Sequence, residues 1–583
     1  MKYKLAFYFF LFTVLFCCAQ SEKSVEIQKR LDQYSDHYQP EYTKLVFDKD
    51  LYFAGEKIWY SLWLWNDTNT SSSLSILVYV EIRDKNDSVL MRQKVKCKHG
   101  KAYGELSLPD RFPTGYYKIV AFTSWMRNVG SPGRYEHFIP IINREHPITK
   151  GSTTKIPERK SVLAVSRENP HSIKIGIPEG ITGELLVINS QEVVYNKAIV
   201  NSAPILISLD IITNPIVTVL LFNTQGSIVD EQKLTNENVS TYVSVTASNK
   251  PALPRSSTDI FIELKDEDGH LINGNVSVSV RPKGAVVKQQ GLDASSANYE
   301  SVLTKELVPL TYRKEIFIYP PSANTLPGVD FSSSMRPQPY EFSFQTGAGA
   351  RIISEADLRK KITTYYSVNA FYEVEDDYNF KSNNSFETKK YAVLPTLEEF
   401  FRELVAQVKV KKLKGETVLR VRNSDNPAKI YFFNGSPMII IDKVSSTASE
   451  LLSIPLSDVD RIDVIWSTDA INALGIFSLA DNGLVSVSTK SRIKYSQSKG
   501  EVFKDLHLPL KFSIPAFSDK EKFAPVMIDP LFWSPSVLIS GKTKVTINTS
   551  DDLGLFLVEV KGITETGDHI SGMTQINVSV DPN

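Results

Sequence analysis

Apolar residues recur along this chain at two spacings, and the change from one to the other divides it. From Val25 to Tyr38 (VEIQKRLDQYSDHY) spaced apolar positions among charged ones predict one short amphipathic helix. Beyond it the alternation becomes that of strands, at 42–47, 57–65, 74–83, 88–95, 101–107, 115–124 and 134–140, parted by turn clusters such as Asp84-Lys85-Asn86-Asp87. Seven short strands in roughly 100 residues predict a β-sandwich. A second β-rich unit has strands near 172–177, 184–189, 205–210 and 216–223. A third opens at Val239, where 258–264 and 275–280 read as a hairpin joined across 265–274. From 285 to 390 the periodicity fades, Ser, Asn and Pro become frequent, and only a short helix at about 354–365 is expected. Order returns with Thr396-Leu397-Glu398-Glu399, a capping box leading a helix to about Val408. Strands at 417–421, 428–433 and 438–442, a helix at 447–452, a strand at 459–466, a small helix at 470–474 and a strand at 483–489 complete an α+β module. The tail is β again, at 532–535, 544–548, 555–562 and 574–580. Its roughly 50 residues are too few for an independent sandwich, so these strands are expected to complete the sheet begun at Val239.

In the first unit Phe47-Asp48-Lys49-Asp50-Leu51-Tyr52-Phe53-Ala54-Gly55-Glu56-Lys57-Ile58-Trp59-Tyr60 resembles the opening of the second macroglobulin domain of alpha-2-macroglobulin-like proteins, with Ala54 where that family has Pro. Phe112-Pro113-Thr114-Gly115-Tyr116-Tyr117 resembles the same family's P-x-G-x-Y strand. Asn275-Val276-Ser277-Val278-Ser279-Val280 and Phe556–Gly562 are similar to strands of later macroglobulin domains.

The module resembles the plug domain of TonB-dependent outer-membrane receptors. Pro437-Met438-Ile439-Ile440-Ile441-Asp442 looks like the plug's P-L-x-x-x-D-G strand, with Lys443 in place of Gly. Ile454-Pro455-Leu456-Ser457-Asp458-Val459-Asp460-Arg461-Ile462-Asp463-Val464 and Asp481-Asn482-Gly483-Leu484-Val485-Ser486-Val487 resemble its later elements. Only 88 of the 583 residues follow Tyr495, whereas a 22-stranded barrel needs at least roughly 220. The resemblance thus implies a plug-like module without a barrel of its own, beside macroglobulin/Ig-like sandwiches, as in envelope proteins of Bacteroidota-type bacteria. The fold class expected is mainly β: tandem sandwiches plus one α+β module. Its divisions are a leader at 1–19, a helical segment at 20–38, sandwiches at 39–147 and 160–238, the start of a third at 239–284, an irregular connection at 285–392, the module at 393–495 and a β segment at 496–583.

Lys2 and Lys4 precede an apolar run from Leu5 to Phe16 and then Cys17-Cys18-Ala19, which reads as a secretory signal cleaved after Ala19; lipidation of Cys18 is the competing reading. Export to the periplasm or outer membrane follows, with no transmembrane span in the mature chain. Lys and Arg number 66, as do Asp and Glu, so net charge gives no case for nucleic acid. With the leader removed Cys97 is the one remaining cysteine and no internal disulfide can form. Lys96 and Lys98 beside it could lower its thiol pKa, though a small buried strand residue is the preferred reading. Cys97 lies in no Cys-Gly-Glu-Gln thioester motif. The eight histidines make no pair at helical zinc spacing, and Asp266-Glu267-Asp268-Gly269 reads as a turn rather than a calcium loop. No catalytic residues, cofactor or metal are expected.

One strand stands out. At 57–65, Ile58, Tyr60, Leu62 and Leu64 form one face and Trp59, Trp63 and Trp65 the other, so both faces are apolar. The tryptophans are either a platform for a partner or sugar ring, or packing against a neighbouring unit or the helix at 25–38. The function expected is binding or scaffolding in the envelope, with a protein partner that the plug resemblance makes an outer-membrane barrel. A thioester-less protease-binding macroglobulin, with 285–390 as its cleavable segment, and a glycan-binding module are the alternatives.

Overall fold

The computed structural model describes residues 22–35, 41–145, 162–235 and 242–283 apart from short loops, then 337–341, a few positions at 354–362, 371–374, 382–467 apart from short loops, 482–490, 506–513 in part and 525–580. The leader with Cys17, Cys18 and Ala19, the predicted helix at 470–474 and most of 285–390 lie outside the described residues. The described chain is mainly β.

The first unit is a sandwich. One layer orders Glu41–Phe47, Lys57–Asn66 and Lys101–Ser107; the other orders Tyr52–Phe53, Tyr135–Ile142, Gly115–Thr123, Leu77–Arg83 and Val89–Lys96. Leu506–His507 joins the second layer, parallel to Val89–Lys96. Tyr60, Leu62, Ile82, Tyr117 and Ile119 fill the core between the layers. Gly55 turns the chain with φ +87°, and a side chain there would meet Asp110.

The second unit pairs a three-stranded layer (Ile205–Ser208, Ser172–Gly176, Ala164–Asn169) with a four-stranded one (Glu192–Ile199, Gly183–Asn189, Ile216–Asn223, Ile228–Thr235). The amino-terminal helix, Glu22–Ser35, lies against this unit. Its Ile27 packs on Leu186, Ile188, Leu220 and Phe222, and Gln28 Oε1 accepts a 2.8 Å hydrogen bond from the Val193 amide.

The third unit is built from two distant pieces of sequence. Tyr242–Ala247, Ser257–Lys265 and Lys542–Asn548 form one layer, and Phe532–Ser540, Asn273–Pro282, Gly554–Thr564 and His569–Val578 the other. Ser257–Lys265 and Asn273–Pro282 are not a hairpin, contrary to the sequence expectation. They lie in different layers, because Ser257–Lys265 pairs with 542–548 while Asn273–Pro282 takes 532–540 and 554–564 as its neighbours. The link at 265–273 is a crossover between layers, tightened by the His270 amide donating to Asp266 Oδ1 and by Gly269 at φ +82°.

The α+β module has its own core of Leu397, Phe400, Phe401, Val405, Leu419, Leu451, Val464 and Val487, among others. A mixed sheet orders Asn384–Glu387, Val459–Ile465, Leu484–Thr489, Met438–Ile441 and Val444–Ser446. The edge strand Asn384–Glu387 falls inside the segment expected to be irregular, and it pairs with Val459–Ile465. Thr396 accepts from the Glu399 amide and starts the helix Leu397–Leu404. That helix stops short of Val408, since the β-branched alternation Val408-x-Val410 opens a strand, Val408–Leu413, that hairpins with Glu416–Val421. Of the strand expected at 428–433, residues 428–430 lie outside the described residues; Phe432 bridges Arg422, and the Phe433 amide donates to the Val421 carbonyl at 2.9 Å. The turn after Met438–Ile441 forms without the glycine of the plug pattern: Asp442 itself adopts φ +47°, and its carboxylate accepts from the Thr489 amide and hydroxyl. No described helix is long and apolar enough to cross a membrane.

Candidate functional site: the seam between the first and third units

The strand Lys57–Asn66 explains why two units meet where they do. Its residues Ile58, Tyr60, Leu62 and Leu64 enter the first core, while Trp59, Trp63 and Trp65 point the other way. The tryptophans are only 3%, 2% and 4% exposed. They pack with Val46 of the adjoining strand and with Phe512, Val526, Ile528, Trp533 and Ile563, from segments hundreds of residues later. Trp59 and Phe512 meet edge to face at 5.6 Å between ring centroids. The tryptophan row is therefore no open platform for a sugar ring or a partner. It is covered, and by the carboxyl-terminal strands rather than by the amino-terminal helix, which sits on the second unit.

Beside this apolar patch lies a buried polar network. Asp48 is fully buried; its Oδ1 accepts from Tyr52 Oη at 2.6 Å and from the Trp59 amide at 2.9 Å, while Oδ2 has no hydrogen-bond partner. Burial, the largest cause, pushes the Asp48 carboxyl up to about 7 against the opposing pull of Lys49. Lys49 donates to Glu56 at 2.9 Å and lies 3.7 Å from Asp529 of the third unit. Burial works against its charged form, but Asp529, Glu56 and Asp48 outweigh it and hold the ammonium above its ordinary value. Glu56 is half-buried, which by itself would raise its carboxyl, yet Lys49 holds it below its ordinary value. Across the seam Arg281 pairs with Asp50 at 2.6 Å, while within its own unit it approaches Glu559 at 3.5 Å. Ser279 Oγ donates to the Asp48 carbonyl at 2.6 Å, and Ser61 Oγ to that of Pro535. The motif Asp48-Lys49-Asp50 thus supplies the first unit's half of an electrostatic lock. The sequence shows the motif as part of a family resemblance but not this role, because its partners at 279, 281 and 529 are remote.

The seam can hold two units in register; it offers no activated nucleophile. Cys97 is buried elsewhere in the first unit, and burial, the largest cause, pushes its thiol up to about 12, the reverse of activation by its lysine neighbours. Among the described residues no group of three His, Cys, Asp or Glu side chains is placed to hold a metal ion.

No protein-family model matches the chain, and no curated protein matches it. Alignments to solved structures span its length but are loose. With Escherichia coli alpha-2-macroglobulin activated by porcine elastase the identity is 11%, covering 93% of this chain and 44% of that one, at a TM-score of 0.24. With Salmonella alpha-2-macroglobulin reacted with methylamine it is 9%, covering 92% and 39%, at 0.23. The Escherichia coli adhesin FdeC aligns at 9% identity over 43% of this chain and 82% of that one, at 0.13. The chain spans less than half the length of those macroglobulins. Scores of this size do not establish a common fold.

Proposed function

We propose that this chain is a non-enzymatic scaffold of the bacterial cell envelope, in which macroglobulin-like sandwiches carry a TonB-plug-like module that engages an outer-membrane barrel protein. The units are 41–145, 162–235, 242–283 together with 525–580, and the module at 382–490. The observation that carries the reading is the module's separate core, set into the chain between the two halves of a sandwich that is itself locked onto the first unit. Such a mounting joins a small domain to the base through both of its chain ends, which suits presentation to a partner. The signal-like leader supports export, and cleavage after Ala19 or lipidation of Cys18 would set the mature start.

The test is cross-linking and affinity recovery of the tagged chain from envelopes, beside a variant in which residues 382–490 are replaced by a flexible linker. An outer-membrane barrel protein should accompany the full chain and be lost with the variant. Recovery of no barrel overturns the reading. Recovery of proteases together with cleavage inside 285–390 favours the protease-binding alternative instead.

A further inference from the structure

The hairpin of Val408–Leu413 and Glu416–Val421 has two unlike faces. Val408, Val410, Leu419 and Val421 point into the module's core against the helix Leu397–Leu404. On the outward face Lys409 stands opposite Arg420 and Lys411 opposite Val418. Lys409 Nζ lies 5.7 Å from the centre of the Phe432 ring, and Arg420 donates to Ser436 Oγ at 3.1 Å. Lys409, Lys411 and Lys412 are exposed, and among the described residues none of the three is paired with a carboxylate. Residues 408–422 carry Lys409, Lys411, Lys412, Lys414, Arg420 and Arg422 against the single acid Glu416, in a chain whose total charge is zero. At the turn end Leu413 is 46% exposed, and Tyr431 beside the neighbouring strand is 58% exposed.

We propose that this outward face, together with the turn end where Lys412 lies, docks on an anionic phospholipid bilayer. It does not depend on the barrel reading above, since hairpin residues alone define it. Charge complementarity calls for an anionic surface, and the side chains choose which kind. The exposed cations are lysines, compact charges on flexible stems that meet mobile headgroups at many angles, whereas one fixed carboxylate is better matched by the planar fork of arginine. A leucine at the tip supplies an apolar group of the kind that seats at headgroup depth. Each cation near such a surface strengthens binding about fivefold at physiological salt, so removing three costs about a hundredfold.

The experiment is vesicle flotation of the chain expressed without residues 1–19, using phosphatidylglycerol–phosphatidylcholine vesicles and pure phosphatidylcholine vesicles, at low and at 0.5 M salt. The protein should float with the anionic vesicles alone, and salt should release it. Combined Lys409→Ala, Lys411→Ala and Lys412→Ala should weaken binding about a hundredfold with an unchanged thermal melt, and Leu413→Asp should weaken it further. Flotation with both vesicle types alike, flotation with neither, or undiminished binding by the triple variant overturns the proposal. So does capture by immobilised polyglutamate without flotation, which would assign the face to an acidic protein segment.

Discussion

At Asp48 the fold holds a fully buried carboxyl group with one oxygen unpaired, and its neutral form is the one the native state favours. The folded value of about 7 lies above the ordinary 3.8, so between those limits the native chain keeps a proton that the unfolded chain has released. Stability therefore falls as pH rises from about 4 to about 7, by on the order of 4 kcal/mol at most. Glu56 acts in the opposite sense: its lowered value contributes stability that is lost as pH falls through the folded value, below the carboxylate range. Asp48→Asn keeps an oxygen to accept from Tyr52 and Trp59 and removes the titration. The variant should match the wild type in thermal stability near pH 4, exceed it increasingly toward pH 7, and stay ahead above that. A constant difference across the range would show that Asp48 does not titrate in this window.

Among the elements, Gly554–Thr564 is held by a single atom's absence. A Cβ on Gly562 would lie 2.1 Å from the Asn275 carbonyl oxygen and 2.6 Å from Val276 Cα. Gly562→Val should force the two strands apart and cost about 3 kcal/mol or more in denaturant unfolding; a cost below about 0.5 kcal/mol would mean the pairing is looser than described. Legibility of the elements followed burial. Strands with deeply buried apolar side chains, such as Lys101–Ser107 with one apolar face and Ile216–Asn223 with two, announced themselves by their apolar pattern. Edge strands such as Glu192–Ile199, mostly half-buried or exposed, and Ile228–Thr235, polar along much of its length, did not. Val408–Leu413 lies past the end of the expected helix and was assigned to no element, because only Val408 and Val410 of its six residues are buried and so short an alternation is weak. The seven residues between Lys265 and Asn273 fit a hairpin as well as a crossover, and only partners in the tail decide between them. The tryptophan row was visible as a second apolar face, but what covers it comes from residues 512–563, beyond the reach of any local pattern.

For the whole molecule, the pairing of 257–282 with 532–564 means that covalent continuity through the intervening stretch is not what joins the halves of the third unit. A specific protease site placed between 290 and 330 should, after cutting, leave two fragments that elute together from a sizing column and separate only in denaturant. Fragments that part in native buffer would show that the two sheets and the tryptophan seam are too weak to hold alone.

The same arrangement sets a clock on biogenesis. Ser257–Lys265 and Asn273–Pro282 emerge from the ribosome roughly 250 residues before their mates, on the order of 12–50 s at about 5–20 residues per second. During that interval two strands with strongly apolar faces wait unpaired, alongside a strand whose tryptophans have nothing to cover them. A nascent chain so placed is a natural client for holding chaperones.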